Sequence, residues 1–190
     1  MPIIIPTPKE RSLFFSTNVN GETIGTLSKS IIEINNDDDL IRNIVKSSGF
    51  EYTPNPIKIY IDSRGGEVHP CLGLIGVIEN SNTPIHTIVT GCAMSAGFLI
   101  SISGHKRYAY KLSTMLYHQI SSWLGGTQKD LEDNLFETSK LQKIIEKHTL
   151  KCTKLTEKQL KDSFEKKKDL YFSSKEALRL GIIDEIVCQD

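Results

Sequence analysis

The sequence predicts an α/β domain with a largely parallel sheet. Segments with the pattern of strands alternate with segments that have the pattern of helices, and parallel strands require such an order because a crossover must join them. The clearest strands are residues 57–62 and 85–90, each followed by a glycine-containing turn and then by an apolar segment of helical pattern. The chain has 190 residues, 38% of them hydrophobic, which is enough for one sizeable core.

The first quarter of the chain is the least patterned. Residues 1–30 contain three prolines and several turn-forming residues, so we expect an extended N-terminal arm or loop with a short strand near residues 13–16. The main domain is then expected over residues 31–190. Capping residues at 35–39 come before an apolar stripe in residues 40–45, which predicts an amphipathic helix that starts there.

The middle of the chain predicts two helices between its strands. Residues 68–79 have an apolar stripe of helical period. Residues 93–103 are apolar nearly throughout, which is typical of a buried helix. Further short strands are predicted at residues 108–110 and 114–117.

The last third predicts a long helix after Gly125-Gly126 and two shorter ones. One side of the long helix carries a stripe that we expect to face the chain's own core for the most part: Leu131, Leu135, Thr138, Leu141, Ile145 and His148. Capping boxes that begin at Thr156 and Ser173 predict the two shorter helices, and residues 182–187 predict a final strand.

Charge and cysteine usage exclude several classes of function. The chain has 23 basic and 23 acidic residues, so its net charge of zero argues against broad binding of nucleic acid or of anionic membranes. No apolar run approaches the roughly 20 residues of a membrane helix, and the N-terminus lacks the features of a signal peptide, so we expect a cytoplasmic protein. The four cysteines are expected to be reduced, and no metal-ligand spacing or cofactor motif is present.

Two strand-to-helix turns are candidates for chemistry. The Gly65-Gly66 pair lets backbone N–H groups point into a site, although an isolated glycine pair is more often a tight turn. Ser95 starts an apolar segment and is either a helix cap or a nucleophile beside the N–H groups of a helix. His118, at the end of a predicted strand, is the best of five candidate histidine bases. The residues alone leave the acid open among three carboxylates: Asp162, Asp169 and Asp184.

Four segments in order resemble successive motifs of the ClpP protease family. They are Asp-Ser-Arg-Gly-Gly at 62–66, Gly-Cys-Ala-Met-Ser-Ala-Gly-Phe at 91–98, Met-Leu-Tyr-His-Gln at 115–119, and the segment 168–185 that begins Lys-Asp-Leu-Tyr-Phe-Ser. The resemblance covers about residues 57–187. It implies the fold of ClpP and crotonases, in which β-β-α units repeat as a superhelix, with a protruding handle at about residues 119–150. The handle interlocks two rings in that family, so the resemblance gives the apolar stripe of the long helix a second use, contact between rings, beside a place in the chain's own core.

The resemblance also implies the roles of individual residues. Ser95 matches the nucleophile, His118 the general base and Asp169 the acid that orients it. Gly66 and Ala96 match the two backbone donors of the oxyanion hole. No metal or cofactor is implied.

The implied function is that of a serine endopeptidase that cleaves peptides and unfolded proteins inside a self-compartmentalised ring. The implied partners are further copies of the chain, in two stacked heptameric rings, and an AAA+ unfoldase. Four positions depart from the family pattern. Arg64 and Ile120 each replace a proline, Ala96 replaces a methionine, and Lys168 replaces an arginine that supports contacts between rings.

Three other functions stay open at this point. The chain could be a ring subunit that has lost catalysis, because Arg64 and the altered turn after His118 could distort the site. It could be a crotonase-like acyl-CoA enzyme, which would need the glycine-based oxyanion hole but not the full triad. It could also be a Ser/Lys peptidase that uses Lys106 or Lys111.

Overall fold

A computed structural model describes residues 10–121 and 125–187. The strands are β1 (Ser12–Phe15), β2 (Ile57–Ser63), β3 (Ile85–Met94), β4 (Lys106–Tyr110), β5 (Thr114–Tyr117), β6 (Leu170–Ser173) and β7 (Glu185–Val187). The helices are α1 (Gly21–Ser47), α2 (Val68–Glu79), α3 (Ala96–Ser101), α4 (Gln128–Cys152), α5 (Glu157–Glu165) and α6 (Ser174–Arg179).

The strands form one sheet, and the prediction of a largely parallel α/β domain is confirmed. The main path runs β1-β2-β3-β4-β7 with every pair parallel, while β5 pairs with the far end of β3. β6 is antiparallel to β5 and was not predicted. The predicted capping boxes at Thr156 and Ser173 are both formed and start α5 and α6.

The first helix is longer than expected, so the prediction of an extended arm is wrong for residues 21–30. Asn20 caps α1 by accepting a hydrogen bond from the N–H of Thr23, and the helix continues through position 30 to Ser47. The predicted start near residue 40 is therefore wrong as well, and no break in secondary structure marks a domain boundary at residue 30. The helix is continuous because its buried face begins early: Ile24, Leu27, Ile31, Ile34 and Asp38. Residues 1–9 lie outside the described part of the chain.

β3 also runs further than predicted. It passes through Gly91 and ends at Met94, so the buried helix expected over residues 93–103 is reduced to α3. Residues 86–89 of β3 pair with β4, whereas Cys92 to Met94 pair with β5. Between them the register with β2 shifts, which marks a bulge at residues 90–92. The side chain of Asp62 accepts the N–H of Cys92 at 2.9 Å and so supports a strand that the glycine would otherwise end.

The long helix α4 is divided between an exposed and a buried half. Leu131 and Leu135 are exposed, so the expectation that they face the chain's own core is wrong. Ile145, further along the same stripe, is buried, together with the polar residues Gln142 and Thr149. The first part of α4 therefore stands away from the sheet. Within residues 10–121 and 125–187, the structure contains no helix that is both long and apolar enough to cross a lipid bilayer.

A buried carboxylate fastens the N-terminal segment to the domain. Asp38 of α1 is fully buried and accepts two hydrogen bonds, of 2.6 and 2.8 Å, from the guanidinium of Arg11 just before β1. The hydroxyls of Tyr52 and Thr83 complete its shell at 2.8 and 2.6 Å. Burial alone would raise the pKa of Asp38, but these donors outweigh burial and lower the pKa to about 2. The carboxylate of Asp38 thus links three parts of the fold: the residues just before β1, the helix α1, and the turn before β3.

Replacing Asp38 by asparagine should lower the free energy of unfolding at pH 7 by about 2–4 kcal/mol, because it leaves the mostly buried Arg11 without its counter-charge. The folded pKa lies below the ordinary value of about 3.9, so the carboxylate stabilises the fold above about pH 4. That contribution is lost as the pH falls from about 4 to about 2. Urea denaturation measured across this range should therefore show a smaller pH dependence for Asp38→Asn than for the unsubstituted chain.

Asp39→Asn is the matched control. Asp39 is the next residue of α1, and its side chain is 42% exposed and paired with Arg42 of the same helix. Its replacement should cost less than about 1 kcal/mol, as is usual for exposed ion pairs. Equal losses for the two variants would contradict the role given to Asp38.

Candidate active site

Ser95 lies on a strained turn between β3 and α3. Its φ of 55° and ψ of −123° are rarely adopted by residues other than glycine, and such a conformation costs about 1–3 kcal/mol. The backbone N–H of Ser95 donates to the carbonyl of Leu116 in β5 at 3.0 Å, which holds the turn against the sheet. The Ser95 side chain makes no capping hydrogen bond, so the interpretation of Ser95 as a simple helix cap is wrong. A strained strand-to-helix turn is the local geometry that exposes the nucleophile in many hydrolases.

The glycine pair after β2 lies at two close approaches of the backbone, Gly65 against this turn and Gly66 against Val19. Gly65 has a φ of +98°, and a Cβ atom there would lie 2.7 Å from the Cβ of Ser95 and 2.6 Å from the carbonyl oxygen of Met94. Gly66 has a φ of +150°, and a Cβ atom there would lie 2.2 Å from the carbonyl oxygen of Val19. Side chains cannot be accommodated at either position, so the pair is required for the close approach of two backbone segments.

One cleft brings together four of the five predicted site residues. Ser95 and Ala96 form one wall, Gly66 a second, and His118, the first residue after β5, a third. The other side chains and backbone atoms that line the cleft are Val68, Leu99, Tyr117, Gln119, Ile120, Ser121 and Ile145. Apolar and polar groups thus share the lining around Ser95 and His118.

Two backbone N–H groups in this cleft have no backbone partner among the described residues. They belong to Gly66 and Ala96, the residues matched to the oxyanion hole. At Ala96 this follows from its place in the first turn of α3, where N–H groups lack an intrahelical acceptor. At Gly66 the N–H has no backbone partner among the described residues because Val19 bonds to the residues on either side. The N–H of Val19 donates to the carbonyl of Gly65, and the carbonyl of Val19 accepts the N–H of Glu67. Two such donors beside a hydroxyl can stabilise a developing oxyanion.

The structure does not join the predicted triad by hydrogen bonds. In the described parts of the chain, no hydrogen bond links Ser95 to His118 or His118 to Asp169, and Asp169 is exposed outside the cleft. The position of Asp169 along the sheet nevertheless favours a pairing with His118. β5 and β6 are antiparallel with Tyr117 opposite Leu170, so one further step of the same register places His118 opposite Asp169. Catalytic hydrogen bonds are often long in structures without substrate.

A glutamine of α4 reaches the segment that carries His118. Gln142 is 7% exposed, accepts the backbone N–H of Ile120 at 3.0 Å, and donates to the hydroxyl of Tyr117 at 3.3 Å and to Glu146 at 3.0 Å. Burial, together with the nearby charge of Glu146, raises the pKa of Tyr117 to about 12, so its phenol is neutral. The sequence prediction missed Gln142. A signal existed, because Gln142, Ile145 and Thr149 share a helical spacing that places them on one face.

Several alternatives are not supported by this geometry. Lys106 begins β4 opposite His86, at the end of β3 remote from Ser95, and neither it nor Lys111 lines the cleft. In the described ranges, no cluster of three or more His, Cys, Asp or Glu side chains could hold a metal ion. Cys71, Cys92 and Cys152 are free, although Cys71 alone of the three is fully buried, and Cys188 lies outside the described residues.

Comparison with known proteins identifies relatives over most of the chain. The family described as "Clp protease" matches residues 8–190. The ATP-dependent Clp protease proteolytic subunit of Deinococcus radiodurans is 33% identical over 135 residues, which are 70% of this chain and 65% of that protein. The ATP-dependent Clp protease proteolytic subunit 3 of Streptomyces coelicolor is 31% identical over 137 residues, 69% of this chain and 60% of that protein. The chain thus spans slightly less than two thirds of the length of each relative.

Gly65→Ala should lower the free energy of unfolding by at least about 2 kcal/mol, because the new methyl group meets backbone atoms at a positive φ. Gly73→Ala is the control. Gly73 lies in α2 with no atom within 4 Å of a Cβ, so alanine should stabilise the chain by roughly 0.5–1 kcal/mol through its higher helix propensity. Chemical denaturation of both variants tests this contrast, and a neutral Gly65→Ala would show that the two turns are not in close contact.

Proposed function

Because the chain belongs to the Clp protease family, we propose that it is a serine endopeptidase whose active site is the Ser95 cleft. The observation that carries the proposal is the convergence of four groups in that cleft: the Ser95 hydroxyl, the His118 ring and the unpartnered N–H groups of Gly66 and Ala96. These are the groups that acyl transfer from a peptide requires, namely a nucleophile, a base and two oxyanion donors.

The proposed reaction has two halves. In the first, His118 accepts the hydroxyl proton of Ser95 as Oγ attacks the peptide carbonyl, and Asp169 holds the imidazole in the required tautomer and stabilises its cation. The N–H groups of Gly66 and Ala96 donate to the tetrahedral oxyanion, and His118 then protonates the leaving amine. In the second half, His118 activates a water molecule, which hydrolyses the acyl-enzyme by the same steps in reverse.

The proposed oligomer is a pair of stacked heptameric rings that enclose the active sites. Its support is the surface of a single chain, since large apolar side chains of α4 and α5 are exposed: Leu131, Leu135, Phe136, Ile144 and Phe164. Apolar surface of this extent is typical of a face covered by another protein. We assign the handle, about residues 119–150, to contacts between rings. The proposed substrates are peptides and unfolded proteins, with an AAA+ unfoldase as the partner that delivers the latter.

A ring subunit without catalytic activity is the second candidate function. The observation that favours it is the incomplete triad, in which Asp169 is exposed and His118 has no hydrogen bond to either proposed partner. The crotonase-like alternative receives no comparable support, because the family matched over residues 8–190 is a protease family. The two remaining candidates differ in whether Ser95 reacts.

Ser95→Ala should abolish hydrolysis of a fluorogenic peptide and covalent labelling by a fluorophosphonate. The loss removes the attacking atom, so activity should fall to the background of the assay, while the circular dichroism spectrum stays unchanged. Ser103→Ala is a matched control, because Ser103 follows α3 at its other end and does not line the cleft. Intact rings of the unsubstituted chain that do not label would identify a subunit without catalytic activity.

The mass in solution tests the assembly independently of chemistry. Fourteen copies of a 21.3 kDa chain have a mass of about 300 kDa, and closed rings of this kind are the usual form of symmetric oligomers. Leu135→Asp together with Phe136→Asp should reduce the mass to about half or less, because charged side chains would lie at the proposed contact between rings. Light scattering that gives 21 kDa for the unsubstituted chain at micromolar concentration would contradict the ring.

A further inference from the structure

The turn that carries His118 is attached to α4 through one side chain. Gln142 bonds to the hydroxyl of Tyr117 on one side of His118 and to the backbone N–H of Ile120 on the other. It is 7% exposed and also donates to Glu146, so both ends of its amide are used. Buried amide groups with this many partners have a defined orientation, since each lost bond leaves an unsatisfied group behind.

One of these bonds depends on the backbone N–H of Ile120. Ile120 donates through its backbone N–H, a group that a proline at this position would lack. The proline ring also restricts φ, which stiffens a turn through its own covalent structure. Here the restriction is absent, and the hydrogen bond from Ile120 to Gln142 is available to hold the turn instead.

We propose that Gln142 is a positioning residue that holds the His118 turn against α4 through its bonds to Tyr117 and Ile120. The proposal rests on the proposed function, in which His118 must lie within hydrogen-bond distance of Ser95. Misplacement of a reacting group by about 1 Å can lower a rate by about 100-fold. Gln142 does not line the cleft, so its effect passes through the turn and not through contact with substrate.

The test compares Gln142→Met with Lys143→Met. Methionine has nearly the length of glutamine but makes no comparable hydrogen bonds. Gln142→Met therefore removes the bonds to Tyr117 and Ile120 while it fills the same space. Lys143 is the exposed next residue of α4 and has no hydrogen bond within the described structure, so the same substitution there is the control. Three quantities are measured: kcat and KM on a fluorogenic peptide, the rate of fluorophosphonate labelling, and amide hydrogen exchange of residues 117–121.

We expect Gln142→Met to lower kcat and the labelling rate by about 10-fold, to leave KM unchanged, and to speed exchange in residues 117–121. Lys143→Met should change none of the three. A purely structural role would alter stability without a selective loss of kcat and labelling. Equal kcat and labelling rates for the two variants would overturn the proposal, and so would a rise in KM at constant kcat, which would indicate a contact with substrate.

A second variant tests the dependence on Ile120. Ile120→Pro removes the donated N–H, so Gln142→Met should have a smaller effect in that background than in the unsubstituted chain. Fully additive effects would overturn the proposal, because the two residues would then act independently. If the unsubstituted chain neither labels nor cleaves, the proposed function fails. Hydrogen exchange in residues 117–121 then tests separately whether Gln142 holds the His118 turn. Faster exchange in Gln142→Met supports that role, and unchanged exchange overturns it.

Discussion

The cleft depends on the point where β3 leaves one neighbour and joins another. Residues 86–89 pair with β4, and Cys92 to Met94 pair with β5. A bulge bends a strand and leaves backbone groups outside the regular ladder, so the change of partner requires acceptors and donors from elsewhere. Asp62 accepts the N–H of Cys92 in the bulge, and the hydroxyl of Ser113 donates to two carbonyls of β3 at 2.8 and 3.2 Å. With these bonds, β3 continues to Met94 and places Ser95 at its end, where its neighbours in the sheet are β2 and β5.

Backbone atoms, more than side chains, form the site at that point. Gly65 can approach the Ser95 turn because it has no Cβ, and Gly66 approaches Val19 for the same reason. The N–H groups of Gly66 and Ala96, the donors of the proposed oxyanion hole, have no backbone partner among the described residues. A site of this kind needs no excess of charge and no cluster of ligands. The neutral composition therefore argued only against broad binding of nucleic acid, and the proposed catalytic role came from the order and spacing of short motifs.

Elements with a local signal could be predicted from the sequence, and elements that depend on distant partners could not. Alternating isoleucines gave β2, and capping boxes gave α5 and α6. α1 continues through a polar stretch because Asp38 meets Arg11, and β3 passes Gly91 because Asp62 accepts an N–H there. In the site, Ser95 and His118 were identifiable by type and place, whereas Asp169 was singled out only by the resemblance. Gln142 was missed because hydrophobic patterning weighs apolar residues, although its helical spacing from Ile145 places the two on one face.

The single chain completes one half of the proposed site and leaves the other half at its surface. The sheet fixes the nucleophile and the oxyanion donors internally. The acid instead precedes the edge strand β6, close to the exposed Tyr171, and the first part of α4 exposes Leu135 and Phe136. A hydrogen bond between an imidazole and a carboxylate strengthens when water is excluded, because the local dielectric falls. In the proposed ring, exclusion of water from Asp169 would therefore strengthen its pairing with His118.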